Sequence, residues 1–126
     1  MKRLSMLTSA STLLLVVLAL SAGTASANSQ QQGELKTVEL VAKEFTFEPS
    51  TVQVEPGSRV RIKLVNKGNL SHNLHIKGNG GKTKTLQTGK SDTIVVTAPD
   101  SGKLAFFCNV PGHKQAGMRG EIAVQK

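Results

Sequence analysis

Apolar and polar residues alternate with a period of two in several short segments of the chain, which is the pattern of half-buried β-strands. In the clearest segment, RVRIKL, Val60, Ile62 and Leu64 alternate with arginine and lysine. One face of this strand is apolar and the other is cationic, so we expect it in an antiparallel sheet with one side in solvent. Similar patterns predict strands near residues 38–42, 52–54, 72–76, 94–96, 104–108 and 121–124.

Turn residues separate these segments. Pro49, the Pro56-Gly57 pair and Pro99 end or connect strands, and residues 77–85 form a loop rich in glycine and lysine. No segment has the spacing of a long amphipathic helix. The pattern therefore predicts an all-β fold, a two-sheet Greek-key β-sandwich of about eight strands.

Strand parity separates two histidines that lie three residues apart. His72 shares a face with Leu74 and Ile76, whereas His75 falls on the opposite face. We therefore predict that His72 points to the core side of its strand, and that His75 takes no part in a buried site there.

The N-terminal residues predict export. Lys2 and Arg3 precede an apolar run at residues 13–20, and Ala25-Ser26-Ala27 matches a cleavage site. The predicted organisation is a signal peptide at 1–27, a loose leader at 28–34 and one domain at 35–126. We expect the mature protein, without a membrane span, in the periplasm or at the outer face of the cytoplasmic membrane. A retained N-terminal anchor is the alternative.

The charge of the chain bears on its partners. Sixteen lysines and arginines against eight acidic residues give a formal net charge of +8, and removal of Lys2 and Arg3 lowers it by two to +6. Such a surface favours acidic partners or anionic surfaces. The sequence has no Trp or Tyr to stack on bases, which together with export argues against nucleic-acid binding.

The segment CNVPGHKQAGM places Cys108, His113 and Met118 at equal intervals. Cys108 is the only cysteine in the sequence, so it forms no internal disulfide, and an exported free thiol is open to oxidation unless something occupies it. Two imidazoles, a thiolate and a weak axial thioether are the ligands of a blue copper site. His72 is the candidate for the second imidazole. The alternative is a buried structural cysteine beside an ordinary loop.

Three segments, FTFEPSTVQVEPGSRVRIKLVN, SHNLHI and FFCNVPGHKQAGMRGEIAV, together resemble the cupredoxins, the small blue copper proteins. The resemblance runs from about Val38 onward, and the Cys-to-His and His-to-Met intervals are most similar to those of auracyanin and rusticyanin. It implies a cupredoxin fold that holds one type 1 copper ion. The ligands that it implies are His72, Cys108, His113 and, in the axial position, Met118.

The resemblance also concerns residues next to the ligands. It implies that Asn73 supports the site through hydrogen bonds to the thiolate and to the loop from Cys108 to Met118, which we call the ligand loop. Ser71 stands where azurin has glycine, which leaves open whether its carbonyl contacts the metal. Phe107 either packs under a loop or, by similarity to the exposed aromatic beside the plastocyanin cysteine, belongs to an electron path. Zinc can occupy the same ligands.

Small and cationic residues around the ligand loop suggest a docking surface. The small ones would leave an apolar rim around His113 that suits brief, weak docking, and the cations could orient an acidic partner. The candidate docking residues are Pro111, Gly112, Lys114, Ala116, Gly117 and Arg119.

The expected function is single-electron transfer between redox proteins by an exported, monomeric copper protein that is not an enzyme. Multicopper oxidases and copper nitrite reductases need histidines beyond the three of this sequence, and a binuclear copper site needs a second cysteine. The alternative is a periplasmic copper carrier or buffering protein. Such carriers often offer several methionines, whereas Met118 is the only one beyond the predicted signal peptide. A metal-free adhesion-like sandwich is a third possibility that leaves Cys108 unexplained.

Overall fold

The computed structural model describes residues 35–78 and 80–126, so the predicted signal peptide and leader lie outside the described residues. Eight β-strands occur in this part of the chain. They are β1 (Lys36–Lys43), β2 (Thr46–Glu48), β3 (Thr51–Val54), β4 (Arg59–Asn66), β5 (His75–Ile76), β6 (Ser91–Thr97), β7 (Lys103–Phe107) and β8 (Arg119–Val124).

The strands form two four-stranded sheets, in the orders β2-β1-β4-β6 and β3-β8-β7-β5. No helix occurs among the described residues, and in this region nothing is long and apolar enough to cross a membrane as a helix. The predicted all-β sandwich is confirmed.

The prediction of an antiparallel setting for β4 was wrong for one of its two edges. It runs antiparallel to β6 but parallel to β1, with Leu40 opposite Leu64. The physical reason is the connection: the chain passes through β2 and β3 before β4 begins, and a crossover of that length allows parallel neighbours. β3 and β8 are also parallel.

The core lies between the two sheets and consists of the inward-pointing residues of the alternating segments. Leu40, Ile62 and Leu64 are fully buried in one sheet, and Phe106 and Ile122 in the other. In β4 the alternate positions are Arg59, Arg61 and Lys63, which are exposed or half-buried, as the period-two pattern predicted. Each fully buried side chain of this kind stabilises the fold by roughly 1.5–3 kcal/mol relative to exposure.

The segment with the two histidines is less regular than its sequence predicted. Only β5, two residues long, pairs with β7. His72 pairs instead with Leu86: the His72 N–H donates to the Leu86 carbonyl at 3.1 Å, and the Leu86 N–H donates to the His72 carbonyl at 2.7 Å. The Leu74 carbonyl accepts a hydrogen bond from the Thr83 N–H at 2.9 Å. The loop that follows β5 therefore supplies the backbone partners of residues 72–74.

Candidate metal centre

The ligand loop connects β7 to β8 and is closed by its own backbone. The Cys108 N–H donates to the Met118 carbonyl at 3.1 Å, and the Met118 N–H donates to the His113 carbonyl at 3.0 Å. Gly112 and Gly117 have φ values of 84° and 105°, which glycine adopts without steric cost. These turns bring the chain back so that Met118 lies beside Cys108.

Three of the predicted ligands meet at one point. His72 and Cys108 are fully buried, His113 is 7% exposed, and one potential ligand atom from each lies within 4.8 Å of the others. The two Nδ1 atoms are 3.2 Å apart, and His113 Nδ1 is 3.6 Å from Cys108 Sγ. Two ring nitrogens and a sulfur thus face one another across a space of atomic size.

The structure does not bring His75 into this cluster. His75 lies on β5 opposite Phe107, with ring centroids 5.8 Å apart. Phe107 also contacts Lys114, whose Nζ is 4.2 Å from the ring centroid. Burial, and then the charge of Lys82, lower the pKa of His75. Its surroundings are those of a half-buried surface histidine.

Met118 is fully buried next to Cys108. Its role as axial ligand stays a prediction. Burial at this point of the loop suits a thioether, which is apolar and adapts to irregular space.

Asn73 connects the His72 segment to the ligand loop. Its Oδ1 accepts a hydrogen bond from the Asn109 N–H at 2.7 Å, and its Nδ2 donates to Thr85 Oγ1 at 3.0 Å. Asn109 directly follows Cys108, so the Asn73 side chain fixes the backbone next to Cys108. The hydrogen bond to the thiolate that the resemblance implied stays a prediction.

Asn66 organises the loop between β4 and His72, and sequence reasoning missed it. The side chain is fully buried. It donates to the carbonyls of Leu70 and Leu86, both at 2.8 Å, and accepts from the Gly68 N–H at 2.9 Å. A buried amide that uses its donors and its acceptor in this way rigidifies the backbone around it. The sequence signal that could have identified Asn66 is its position: it ends β4 on the same inward-facing parity as Ile62 and Leu64.

His72 has a second polar neighbour that sequence reasoning also missed. Its Nε2 is buried without a hydrogen-bond partner among the described residues and lies 3.8 Å from Glu44 Oε1. The same oxygen accepts hydrogen bonds from the N–H groups of Asn69 and Leu70, the latter at 3.0 Å. The Leu70 and then the Asn69 N–H lower the pKa of the Glu44 carboxyl. It is therefore ionised at pH 7.

Burial, and then the charge of His113, lower the pKa of the His72 imidazole, while Glu44 opposes the shift. The lowered pKa favours the neutral form. A neutral imidazole keeps a lone pair on one ring nitrogen, which is the form that binds metals.

Phe45 contacts the other histidine, and sequence reasoning missed this residue. It lies in the turn between β1 and β2, is 39% exposed, and meets His113 edge to face with centroids 5.3 Å apart. Its φ is +62°, a left-handed conformation that is rare for a bulky residue and worth explaining. The turn that carries Glu44 and Phe45 thus approaches both imidazoles. No Gly or Asn marks it in the sequence.

Comparison with known proteins places these features in a family. A family described as "Cupredoxin-like domain" matches residues 11–124. The chain belongs to this family. The curated relatives include the "Copper-resistant cuproprotein CopI" of Pseudomonas aeruginosa, 25% identical over 71% of this chain and 76% of that protein. The protein of the same name from Rubrivivax gelatinosus is 26% identical over 71% and 67%.

Solved structures agree with this cupredoxin in fold. Dithionite-reduced auracyanin from Roseiflexus castenholzii superposes with a TM-score of 0.66 and 24% identity, and covers 75% of this chain and 100% of that protein. Auracyanin A from Chloroflexus aurantiacus has a TM-score of 0.62 and 20% identity, with coverage of 71% and 98%. At these identities the likeness concerns the fold.

The cluster of this cupredoxin suits a soft metal ion. A thiolate favours Cu(I), and neutral imidazoles serve both oxidation states of copper. The three donors are buried and point at one another, and Cys108 forms no disulfide. Bringing such groups together without a metal leaves polar atoms poorly paired in the interior. His72, Cys108 and His113 therefore have the chemistry and the proximity of a metal site.

The predicted docking residues lie at the surface of the ligand loop. Arg119 Nη2 donates to the Lys114 carbonyl at 3.0 Å, which holds one cation close to the loop. The exposed members are Pro111, Gly112, Lys114, Ala116, Gly117 and Arg119.

Proposed function

We propose that this cupredoxin is an exported type 1 copper protein that carries single electrons between redox proteins. The observation that carries the proposal is the buried cluster of His72, Cys108 and His113. His72, Cys108 and His113 would hold one copper ion, with Met118 as a weaker ligand. When bound, copper supplies one-electron exchange between Cu(I) and Cu(II).

The residues around the ligands keep their positions fixed. Asn73 accepts a hydrogen bond from the backbone just after Cys108 and so connects it to the His72 segment. Asn66 fixes the loop that precedes His72. Ligands that are held by the fold move little when the charge of the site changes, and this supports fast electron transfer. His113 is the ligand with an exposed edge, so we assign it the exit for electrons.

The surface around His113 supports brief docking. Exposed Phe45 and the small residues of the ligand loop offer an apolar contact, and Lys114 and Arg119 add positive charge. A partner with an acidic rim would be attracted and oriented by these charges, more strongly at low salt. We further propose that the mature protein is a monomer outside the cytoplasm and has no catalytic residues.

A second candidate function is copper resistance, as a carrier or buffer of the metal. The names of the Pseudomonas and Rubrivivax relatives favour it. The two functions predict different behaviour. An electron carrier keeps its copper through repeated oxidation and reduction, whereas a carrier of the metal gives up Cu(I) to an acceptor protein.

The experiment uses purified mature protein, freed of other metals, to which Cu(II) is added. We expect one copper per chain and reversible one-electron cycling without loss of metal. His72→Gln should abolish the intense blue absorption, and His75→Gln, the matched control, should retain it. Transfer of Cu(I) to a chelating acceptor protein during cycling would favour the carrier. Failure of the wild-type protein to bind copper would overturn both.

A further inference from the structure

The side of His72 that faces away from the ligand cluster has a built environment. Its Nδ1 faces His113, so Nε2 points in the opposite direction, toward Glu44 Oε1 at 3.8 Å. That nitrogen is buried and lacks a hydrogen-bond partner among the described residues. A buried ring nitrogen is costly to leave unpaired, and Glu44 carries the nearest acceptor that could pair with it.

Glu44 is held in place by the loop that leads to His72. Its Oε1 accepts from the N–H groups of Asn69 and Leu70, and Asn66 fixes the same loop through Gly68 and Leu70. The carboxylate is therefore anchored to the backbone, although its side chain is 38% exposed. An anchored charge acts on a neighbour more reliably than a mobile one.

Gly68 leaves the space between the two groups open. A Cβ at this position would lie 2.5 Å from Glu44 Oε1 and 2.9 Å from His72 Nε2. The φ of Gly68 is not positive, so its backbone does not itself require glycine. Glycine fits this position because a larger residue would enter the space in which the carboxylate approaches the imidazole.

From this juxtaposition we propose that Glu44 is a positioning residue for the metal ligand His72. A carboxylate only accepts hydrogen bonds, so it selects the tautomer of His72 that carries its proton on Nε2. The lone pair is then on Nδ1, the atom that faces Cys108 and His113. Partners of this kind orient ligating histidines and raise their basicity.

The proposal rests on the proposed function, and it predicts an effect of Glu44 on the reduction potential of the bound copper. A fixed negative charge behind His72 stabilises Cu(II) more than Cu(I), because the attraction grows with the charge of the ion. Glu44 therefore lowers the reduction potential. Loss of a partner of this type changes metal affinity by about 10–100-fold, and we expect the lower end because Glu44 is partly exposed. Because the loss should fall mainly on Cu(II), the one-electron equilibrium should shift by a similar factor.

The test compares Glu44→Gln with Glu39→Gln. Glutamine at 44 keeps an oxygen for the two loop N–H groups but loses the charge. Glu39 pairs with Lys63 at 3.3 Å on the outer face of β1 and β4, so its variant has the same change in net charge. We expect Glu44→Gln to shift the one-electron equilibrium about tenfold toward Cu(I), a rise of about 59 mV. Glu39→Gln should shift it several-fold less.

A second measurement needs no copper. Nitrogen-15 NMR of the metal-free protein reports which ring nitrogen of His72 carries the proton, and we expect Nε2 in the wild type. If Glu44→Gln does not fold, Gly68→Ala serves instead: the added methyl should displace the carboxylate and raise the potential.

The outcomes separate the two proposals. A proton on Nδ1 of His72, or equal potentials for Glu44→Gln and Glu39→Gln, would overturn the role of Glu44 and leave the copper site intact. A wild-type protein that does not bind copper would overturn the proposed function, while the tautomer would still decide whether Glu44 positions His72.

Discussion

The backbone conformation of Phe45 predicts that glycine at this position is more stable than alanine, which is the reverse of the usual order. At an ordinary position, glycine is less stable than alanine by about 0.5–1 kcal/mol because it loses more freedom on folding. Phe45 has a φ of +62°, and left-handed backbone costs an alanine roughly 1–2 kcal/mol that glycine avoids. We therefore expect Phe45→Gly to be more stable than Phe45→Ala by about 0.5–1 kcal/mol.

Both variants lose the same ring. More than half of the Phe45 surface is covered, which is worth about 1–2 kcal/mol, and the edge-to-face contact with His113 adds about 0.5–1.5 kcal/mol. Phe45→Ala should thus unfold with a free energy about 2–3 kcal/mol below that of the wild type.

Urea unfolding of the metal-free protein at pH 7 measures these differences. With a slope of about 1–2 kcal/mol/M, the two variants should differ by about 0.5 M in midpoint. The control is the pair Thr46→Ala and Thr46→Gly in β2, where φ is not positive and alanine should be the more stable. If Phe45→Ala were more stable than Phe45→Gly by about 0.5–1 kcal/mol, as at an ordinary position, the conformation would carry no strain and the reasoning would be refuted.

Three further predictions concern the site and the frame around it. Met118→Gln should lower the reduction potential and keep a blue-type spectrum, by about 59 mV for a tenfold change; an unchanged potential would remove Met118 from the ligands. Gly120→Ala should destabilise the protein by about 3 kcal/mol in urea unfolding, because its methyl would overlap the backbone oxygen of Ser50 and the Phe106 ring, and a much smaller loss would show that both groups can move aside. Asp92→Asn should cost about 1 kcal/mol at pH 7: the Lys84 N–H lowers the pKa of Asp92, so its contribution is present above the ordinary pKa and fades as pH falls through the folded one. A difference from the wild type that did not shrink in urea unfolding as the pH was lowered below the ordinary pKa of a carboxyl would contradict this.

The period-two pattern predicted much of the fold and the choice of histidine. The parity of Leu74 and Ile76 placed His72 inward and His75 outward, and the structure has His72, not His75, in the cluster with Cys108. This worked because inward side chains in a sandwich have one core to face.

Features that depend on contacts between distant segments could not be read from the pattern. Parallel pairing of β1 with β4 depends on the path of β2 and β3. The approach of Glu44 to His72 and of Phe45 to His113 joins a turn to loops that are 28 and 68 positions away in the sequence. Nothing in the local alternation specifies such a meeting.

The absorption spectrum after addition of Cu(II) tests whether Cys108 binds copper as a thiolate. We expect an intense blue band for the wild type, which a thiolate bound to copper produces, and loss of that band in Cys108→Ser. Copper content must be assayed in parallel, since zinc fits similar ligands. A colourless wild-type protein with copper bound, or a blue band that persists in Cys108→Ser, would show that Cys108 is not a copper ligand.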